Sequence, residues 1–222
     1  MKYMIMPANL HKKVYQNMSQ EDHWEHVYRI YPIEKMGWYE PHLKISSRWI
    51  KEIGLAVDAP IIDVGGGAST LVDDLLEKGY RSVTVLDISE RALSSAKTRL
   101  GEKANLIKWL HGDVTFIDLP SLYYDIWHDR AMFHFLILPE EQSRYRHRLI
   151  TALKPNGHVI IATFALEAPP KCSGLPVQRY SPETLLSTLG EKFELIRHEK
   201  ELHITPRGVE QMYLFCHFRK KD

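Results

Sequence analysis

Residues 56–165 carry short apolar runs that alternate with longer stretches of helical periodicity. The runs, among them IIDV and SVTVLD, are bounded by turn residues and indicate buried strands, whereas the longer stretches repeat their apolar positions every three to four residues. This alternation predicts a parallel, doubly wound α/β sheet. The predicted strands cover 60–64, 82–87, 105–110, 123–128 and 158–165. The predicted helices cover about 70–78, 89–101 and 139–153.

The N-terminal part of the chain has a purely helical pattern. Residues 19–31 show helical spacing behind Ser19, which is a favourable N-cap residue. A second helix is predicted from Pro41 to about Ile53, since proline is preferred in a first helical turn. We expect residues 1–55 to form a helical lid beside the main fold.

The C-terminal part changes from the alternating pattern to two consecutive strands. A helix begins at Ser181, and the apolar runs at 193–204 and 210–218 then flank the turn TPRG. This spacing is typical of an antiparallel hairpin at the edge of a sheet. We therefore predict one domain over 1–222, in which a doubly wound, seven-stranded, mainly parallel sheet with an antiparallel C-terminal hairpin occupies 56–222.

Charge and composition narrow the class of protein further. Lys and Arg number 29 against 28 Asp and Glu, so no charge excess favours binding to nucleic acid or to an anionic membrane. No apolar run approaches the ~20 residues of a membrane span, and none has the pattern of a signal peptide. The two cysteines, Cys172 and Cys216, have no metal-binding or redox spacing, and the histidines lack supporting ligands. We expect a cytoplasmic protein that binds no metal.

The stretch IIDVGGGAST, at 61–70, ends a predicted strand with an acid and three consecutive glycines. No Gly-Lys-Ser or Gly-Lys-Thr follows, which excludes a Walker A phosphate loop, and the dinucleotide pattern G-x-G-x-x-G lacks its third glycine because that position is Thr70. Asp63 would repel a pyrophosphate but would favour a ligand with positive charge, such as the sulfonium and ammonium groups of S-adenosylmethionine. Two alternatives stay open: NAD as the ligand, and an Asp63 that only holds the loop by hydrogen bonds.

The same stretch resembles the first motif of the class I S-adenosylmethionine-dependent methyltransferases, D/E-x-G-x-G-x-G, with Ser69 in place of the last glycine. The resemblance implies S-adenosylmethionine as the cofactor and S-adenosylhomocysteine as its product. It also implies that Asp63, Gly65, Gly66 and Gly67 hold the cofactor.

Acids also follow the next two predicted strands. Asp87 lies about 20 residues after the glycines, a spacing at which a carboxylate can accept both hydroxyls of a ribose, although capping of the helix at Ser89 would also explain it. Ile88 would then lie on one face of the adenine. By resemblance to the same family, Asp113 would accept a hydrogen bond from the adenine amino group, and the N–H of Val114 would meet a ring nitrogen.

The segment DIWHDRAMFHFL contains the end of the fourth predicted strand, where an open α/β sheet binds its ligands. The resemblance places Asp129 beside the methionine part of the cofactor. Asp129 and His134 are the candidate catalytic bases, with His128 a third, and a structural role is the alternative for the histidines. Arg130 could pair with an anionic substrate or with a neighbouring aspartate, Asp125 or Asp129.

Within the family, the pattern W-x-x-x-Y, then GWYEP, then IIDVGGGAS is similar to a branch of small enzymes that includes lysine methyltransferase-like and thiopurine methyltransferase-like proteins. In that branch the N-terminal segment covers the cofactor, which implies this role for Trp24, Tyr28 and Trp38. The spacing of the first two is also that of an apolar stripe packed on the sheet.

The loop LEAPPKCSGLPVQRYS follows the fifth predicted strand and is long enough to line a pocket for the methyl acceptor, with Cys172, Arg179 and Tyr180 as possible contacts. Because the chain shows no separate recognition domain, we expect a small-molecule acceptor that is methylated on O, N or S by in-line displacement. A protein lysine methyltransferase, and a non-catalytic module that binds S-adenosylmethionine or NAD, are the alternatives. We expect a monomer or a weak homodimer without nucleic-acid or membrane partners.

Overall fold

The computed structural model describes residues 19–222, so the beginning of the expected lid lies outside the described residues. The helices of this part are α1 (Gln20–Ile30), α2 (Lys44–Ile53), α3 (Leu71–Glu77), α4 (Glu90–Leu100), α5 (Pro139–Ala152) and α6 (Pro182–Leu189). The strands are β1 (Ile61–Val64), β2 (Val83–Asp87), β3 (Ile107–His111), β4 (Tyr124–Arg130), β5 (Leu153–Phe164), β6 (Lys171–Cys172), β7 (Leu175–Pro176), β8 (Phe193–Ile204) and β9 (Glu210–Lys220). Short 3-10 turns cover Ile33–Lys35, Gly101–Leu106 and Phe133–Phe135. None of these helices is long and apolar enough to cross a lipid bilayer.

Seven of the strands form one sheet in the order β3-β2-β1-β4-β5-β9-β8. The pairs among β1 to β5 are parallel, and β9 runs antiparallel both to β5 and to β8. The chain builds the sheet outward from β1 through β2 to β3 and then returns to the other side of β1 with β4. The prediction of a doubly wound, seven-stranded, mainly parallel sheet with an antiparallel C-terminal hairpin is confirmed.

Alternate side chains of the buried strands belong to two separate apolar layers. Ile61 packs in one layer with residues of α2 and α3, whereas its neighbour Ile62 packs in the other with residues of α5 and α6. In β5, Ile160 and Ile161 divide between the same two layers. Helices therefore cover both faces of the sheet, which is why the parallel strands appear in the sequence as nearly continuous apolar runs.

The predicted helix caps are confirmed, but one helix begins later than predicted. Ser19, Ser89 and Ser181 are the N-cap residues of α1, α4 and α6, and each hydroxyl oxygen accepts a hydrogen bond from a backbone N–H three residues later. The second helix begins at Lys44 instead of Pro41. The backbone N–H of Leu43 donates to Oδ2 of Asp74 at 3.2 Å, and this contact fixes the chain where the helix begins.

The region around β5 differs most from the prediction. The predicted strand began at residue 158, whereas β5 begins at Leu153 and includes the sequence KPNG at 154–157. This part of the strand is irregular: the register with β4 shifts between Tyr124 and Ile126, and Asn156 has a φ of +59°. The loop after β5 is also partly regular, since β6 and β7 pair as a short antiparallel ribbon. These short elements carry no periodic apolar pattern, so the sequence did not indicate them.

The arrangement of β1 creates the crevice in which a ligand can bind. β1 lies between β2 and β4, at the point where the strand order reverses, and Val64 lies opposite Asp129 in the register. In open α/β sheets, ligands bind outside the carboxyl ends of the strands at such a point.

Candidate functional site

A pocket occupies this crevice and extends along the carboxyl ends of the first strands. Its lining comes from the ends of β1 to β4 and the loops after them, together with α1 and the segment before α2. The pocket, called here the cofactor pocket, brings together most of the residues that the sequence singled out: Trp24, Tyr28, Trp38, Asp63, Gly65, Gly66, Asp87, Ile88, Asp113 and Val114. Two predicted cofactor-binding residues, Gly67 and Asp129, do not line it.

The first two glycines are required by close contacts on both sides of the loop. Gly65 has a φ of +67°, and a Cβ built on it would stand 2.5 Å from the Cβ of Met132. A Cβ on Gly66 would stand 2.6 Å from the carboxyl carbon of Asp63. A larger residue at either position would displace the pocket wall, so the loop keeps room for a ligand next to the Asp63 carboxylate.

Asp63 is held by a buried chain of hydrogen bonds. Its Oδ1 lies 2.6 Å from Nδ1 of His128, and Nε2 of His128 lies 2.8 Å from the hydroxyl of Ser46 in α2. With Nδ1 as donor to Asp63 and Nε2 as acceptor from the hydroxyl, the ring links Ser46 to Asp63. Asp63 Oδ2 is buried and has no hydrogen-bond partner among residues 19–222, so a ligand donor can reach a carboxylate that is already oriented.

The contacts from Ser46 through His128 to Asp63 have the same sequence of residue types as the Ser-His-Asp triad of a hydrolase. The burial of Ser46 and His128 excludes nucleophilic catalysis by this serine. Ser46 and His128 are fully buried, and neither lines the cofactor pocket. A nucleophile has to reach the carbon it attacks. The chain of bonds therefore positions Asp63 and joins α2 to the sheet.

Asp87 makes the expected contact at the start of α4 and also faces the cofactor pocket. Its Oδ1 accepts a hydrogen bond from the backbone N–H of Ser89 at 2.8 Å, and the residue also lines the cofactor pocket. Burial raises the pKa of Asp87 to about 7. Gly67 lies directly behind this carboxylate: a Cβ there would be 2.5 Å from Asp87 Oδ2. Gly67 thus supports the pocket indirectly, by allowing the loop to pack against Asp87.

The end of β3 contributes the part of the pocket assigned to an adenine ring. Asp113 Oδ1 accepts from the backbone N–H of Thr115 at 2.7 Å, which leaves the other carboxylate oxygen for a ligand. Val114 is buried in the lining next to it, and Ile88 lines the pocket from the end of β2. An apolar slot with one acceptor at its edge is the surface that an adenine with its amino group requires.

Aromatic rings from the N-terminal segment close the cofactor pocket. The ring centroids of Trp24 and Tyr28 are 6.2 Å apart, those of Tyr28 and Trp38 6.1 Å, and those of Trp24 and Phe135 5.1 Å. Burial, together with the charge of Asp87, raises the pKa of Tyr28 well above its usual value, so the phenol stays neutral. Trp24 also packs partly against the core, so the expected apolar packing is present in a residue that lines the pocket.

Two acidic residues fasten this segment to the rest of the fold. Glu25 Oε1 accepts from the hydroxyl of Ser89 at 2.8 Å and from the backbone N–H of Arg91 at 3.0 Å, which attaches α1 to the start of α4. Glu40 Oε1 lies 2.6 Å from Nδ1 of His203 in β8. The other ring nitrogen of His203 lies 2.7 Å from the carbonyl oxygen of residue 37. The imidazole thus joins the loop before α2 to the edge strand β8 through two contacts.

Asp129 is not placed where the sequence predicted. Its Oδ1 accepts from the backbone N–H groups of Met132 and Phe133, both at 3.1 Å, and its Oδ2 accepts from the hydroxyl of Tyr145 at 2.9 Å. Burial raises the pKa of Asp129 to about 6. The carboxylate is fully engaged beneath the 3-10 turn after β4, so the structure does not bring it to the pocket as a ligand contact or as a base.

His134 is likewise a buried residue behind the pocket. Its Nδ1 accepts from the backbone N–H of Phe164 at 3.2 Å, and its ring lies between those of Phe135 and Phe164 at centroid distances of 4.5 and 4.8 Å. Burial lowers the pKa of His134 to about 3, so the ring is neutral. The predicted role as a catalytic base is not supported by this position.

Arg130 is the basic side chain of the cofactor-pocket lining within the described chain. It donates from Nη1 to the carbonyl oxygen of Trp38 at 2.8 Å, and its guanidinium carbon lies 4.6 Å from the centre of the Tyr213 ring. The two suggested aspartate partners are engaged elsewhere, since Asp125 pairs with Lys154 at 2.7 Å and Asp129 bonds as described above.

A second cavity of about 960 Å³ adjoins the cofactor pocket and is called here the side cavity. It lies among α1, the 3-10 turn at Ile33–Lys35, the β6–β7 ribbon and the turn between β8 and β9. Cys172 lines both spaces. Burial raises the pKa of Cys172 to about 11, so the thiol stays protonated.

The other two expected loop contacts do not reach either space. Arg179 donates from Nη1 to the carbonyl oxygens of Leu166 and Ala168 at 2.9 and 3.0 Å, which holds the loop after β5. Tyr180 is buried, and its hydroxyl accepts from Gln142 at 3.2 Å. Both residues shape the loop from behind.

The donors and acceptors of the cofactor pocket fit S-adenosylmethionine. Three carboxylates, Asp63, Asp87 and Asp113, stand at the ends of successive strands, and the described hydrogen bonds of each use only Oδ1. Such a set suits an ammonium group, a ribose diol and an adenine amino group, and it repels a pyrophosphate. The cradle that the glycines leave beside Asp63 supplies the necessary room.

Comparison with known proteins agrees with this fit. A family profile described as "Methyltransferase domain" matches residues 62–161. The chain is 24% identical over 138 residues to the eEF1A lysine and N-terminal methyltransferase of Mus musculus, a match that covers 62% of this chain and 20% of that protein. It is 23% identical over 196 residues to EEF1A lysine methyltransferase 2 of Danio rerio, covering 81% of this chain and 77% of that protein. The chain thus spans about a fifth of the length of the mouse relative.

Solved structures extend the likeness to the whole fold. The 1,6-didemethyltoxoflavin-N1-methyltransferase of Burkholderia thailandensis, solved with 1,6-didemethyltoxoflavin and S-adenosylhomocysteine, superposes with a TM-score of 0.69 at 19% identity. The superposition covers 100% of this chain and 94% of that protein. At this level of identity the likeness establishes the fold.

Proposed function

This chain contains a class I S-adenosylmethionine-dependent methyltransferase domain, and from that premise we propose that it methylates a small molecule held in the side cavity. S-adenosylmethionine, when bound, supplies a methyl group that is activated by the positive charge on its sulfur. The task of the protein is then to hold two reactants in line and to exclude water, because orientation supplies much of the acceleration of such a displacement.

The residues of the cofactor pocket divide this task among them. Asp63 presents its unpartnered oxygen to the cationic end of the cofactor, and Asp87 accepts the ribose hydroxyls. Asp113 and Val114 meet the adenine. Trp24, together with the other aromatic rings of the N-terminal segment, shields the sulfonium from water and favours its charge.

The observation that carries the proposal is the side cavity itself. Its volume of about 960 Å³ falls in the range of pockets that enclose small ligands. It meets the cofactor pocket at Cys172 and is bordered by segments outside the α/β core, including the β6–β7 ribbon. A concave space of this size beside the cofactor pocket can surround much of a small acceptor.

The chemistry of the acceptor follows from the position of the predicted bases. Neither Asp129 nor His134 lines the pocket, and the thiol of Cys172 stays protonated. An acceptor atom that is already free of its acidic proton near neutral pH, such as a neutral amine nitrogen, a thiolate sulfur or a carboxylate oxygen, needs no strong base for transfer. We propose such an O, N or S acceptor.

A protein acceptor is the second candidate, and the relatives favour it. The proteins from Mus musculus and Danio rerio are lysine methyltransferases by name, although identity is below 25% in both matches. A third candidate is a module that binds S-adenosylmethionine or NAD without catalysis, because neither of the predicted bases lines the cofactor pocket.

One experiment separates these candidates. The full chain is incubated with S-adenosylmethionine that carries a tritiated methyl group, in one arm with a small-molecule cell extract below about 1 kDa and in the other with the corresponding dialysed protein fraction. We expect label in the first arm only, and none with Asp87→Ala. Label confined to protein would favour the second candidate. Tight S-adenosylhomocysteine binding without label in either arm would favour the third.

The remaining expectations concern the organisation of the chain. We propose a single domain over residues 1–222 with residues 1–55 as the lid, present as a monomer or weak homodimer in the cytoplasm. Light scattering at several protein concentrations measures the oligomeric state, and limited proteolysis with and without S-adenosylhomocysteine tests the lid, since an ordered lid should be cut more slowly when the cofactor pocket is filled.

A further inference from the structure

We infer that the acceptor carries an oxyanion, either a carboxylate or a phosphate, and that Arg130 anchors this group beside the cofactor. The inference rests on the proposed function and specifies its substrate class. Three features carry it. The guanidinium of Arg130 has no anionic partner among the described residues, three cations border the side cavity, and the carboxylates near Arg130 form no ion pair with it.

The guanidinium of Arg130 has spare hydrogen-bonding capacity in the wall of the cofactor pocket. Only its Nη1 has a partner, the carbonyl oxygen of Trp38, and its Nη2 is buried without a hydrogen bond to any described residue. Its charge acts on Cys172, the residue shared by the cofactor pocket and the side cavity. Arg130 is half-buried, so its guanidinium loses part of its hydration, and a ligand anion would compensate for that loss.

The side cavity adds positive charge without acidic residues in its described lining. Lys35, Lys171 and Arg207 border it from three different segments. None of the three forms an ion pair with a carboxylate of residues 19–222. Cations around a cavity raise the local concentration of anions and speed their entry.

Two carboxylates lie near Arg130, but neither neutralises it. Glu40 is bonded to His203, and no ion pair joins it to Arg130. Glu201 is half-buried, and burial raises its pKa while the charge of Arg130 opposes that rise. Glu201 lies close enough to feel the charge of Arg130 but forms no ion pair with it within 4.0 Å, so no carboxylate of residues 19–222 occupies the hydrogen-bond donors of the guanidinium.

The test measures binding of simple probes to the protein loaded with S-adenosylhomocysteine, followed by tryptophan fluorescence. The probes are benzoate, phenyl phosphate, neutral benzyl alcohol and cationic benzylamine. We expect at least one anion to bind about tenfold more tightly than benzyl alcohol, and the ratio of the two anions identifies the preferred oxyanion. In Arg130→Gln the preference should fall to within about twofold.

A second variant keeps the test decisive if Arg130→Gln does not fold. This variant combines three substitutions, Lys35→Gln, Lys171→Gln and Arg207→Gln. Its affinity for the anion should be roughly threefold lower at low salt and should lose most of its salt dependence. Lys78→Gln, an exposed charge on the far end of α3, is the matched control and should bind like the original protein.

Several outcomes would overturn the inference. Equal affinity for benzoate, phenyl phosphate and benzyl alcohol would do so, as would an anion preference that persists undiminished in both variants. Tightest binding of benzylamine would indicate a cationic acceptor such as a lysine side chain. Failure of the proposed function is distinct: the anion preference would then be present in a protein that transfers no methyl group to any small molecule.

Discussion

Asp63 and His128 lie opposite each other on the parallel strands β1 and β4, with 2.6 Å between Asp63 Oδ1 and His128 Nδ1. The contact occupies one oxygen of the carboxylate and leaves the other for the cofactor pocket. Ser46 completes the chain from α2. The Asp63 carboxylate is therefore held by His128 of the sheet and, through His128, by Ser46 of α2.

Loss of His128 should destabilise the protein. His128→Leu removes the donor to a buried carboxylate and the acceptor of a buried hydroxyl, and we expect the free energy of unfolding to fall by about 3 kcal/mol. Urea unfolding followed by circular dichroism measures this. His198→Leu, at an exposed position of β8, is the control and should change stability little. A loss below about 1 kcal/mol in His128→Leu would show that the chain of bonds is not needed to hold Asp63.

The raised pKa of Asp87 predicts a pH dependence of cofactor binding. Burial makes this carboxyl titrate near pH 7. In the proposed function its ionised form accepts the ribose hydroxyls, because only a carboxylate offers acceptors on both oxygens. Affinity for S-adenosylhomocysteine should therefore rise about tenfold between pH 6 and 8, as titration calorimetry would show. Asp87→Asn should bind weakly, with a flat profile in this range. An equal slope in both proteins would assign the titration to another group.

The same shift has a consequence for the protein without cofactor. A carboxyl whose pKa is raised in the folded state stabilises the fold at low pH, and this contribution is lost as the pH rises from 3.8 towards about 7. Thermal unfolding of the cofactor-free protein should show a decline in stability over this interval that is smaller in Asp87→Asn.

Asp129 and His134 should prove structural in a kinetic test. Removal of a general base costs about a hundredfold or more in kcat, whereas Asp129→Asn and His134→Gln keep the shape of their surroundings and should lose less than about tenfold. Steady-state assays with the first acceptor identified would measure this. Asp129→Ala removes the acceptor for three donors and should lower the free energy of unfolding by about 2–4 kcal/mol. A loss in kcat of several hundredfold with unchanged stability would restore either residue as a base.

A methyl group on Gly66 should impair cofactor binding specifically. The added Cβ would stand 2.6 Å from the carboxyl carbon of Asp63, so the carboxylate has to move away from its ligand position. We expect Gly66→Ala to weaken S-adenosylhomocysteine binding at least about tenfold. Gly37→Ala, where the nearest heavy atoms would be 3.9 Å away, is a matched control without strain. Equal affinity of the two variants would contradict this account of the glycine loop.

Glu25 should govern how fast the cofactor leaves. Glu25→Gln weakens the contacts with Ser89 and Arg91 that attach α1 to α4, and we expect several-fold faster dissociation of S-adenosylhomocysteine in stopped-flow fluorescence. Glu34→Gln, at an exposed position of the 3-10 turn after α1 and without an ion pair among the described residues, should leave the dissociation rate unchanged. If both variants release the cofactor at the original rate, α1 does not control exit.

The sequence predicted those parts of the site that depend on local pattern. Asp63 and Asp87 end strands with clear apolar runs, and Asp113 follows a third, so their meeting at one edge follows from the parallel order of the strands. The serine caps were predictable for the same reason, because a cap and its helix are neighbours in the chain.

The end of β4 was not predictable from pattern alone. The predicted strand ended at His128, whereas β4 continues to Arg130 and is followed by Ala131 with a φ of +68°. Neighbouring side chains of a strand point to opposite faces, so Asp129 turns towards Tyr145 while Arg130 turns towards Tyr213. The pattern therefore placed Asp129 in the pocket, whereas the longer strand buries Asp129 and brings Arg130 to the pocket lining.

Long-range partners were equally beyond local reasoning. His203 is 163 positions from Glu40, and Ser46 is 82 positions from His128. No spacing rule connects residues that meet only when a helix or an edge strand packs against the sheet. The hydrogen bonds that orient the site residues depend on this packing, whereas the site residues themselves stand in recognisable motifs.

The segment from Glu25 to Glu40 crosses the cofactor pocket and is tied down at both ends, at the start of α4 next to β2 and at His203 on the opposite edge strand. Such a segment acts as a strap and not as a hinged flap, because release of one anchor leaves the other in place. We expect spent cofactor to escape only when both anchors open together, which makes its residence long and its inhibition of further turnover strong. The pace of repeated methylation would then be set by the opening of the strap.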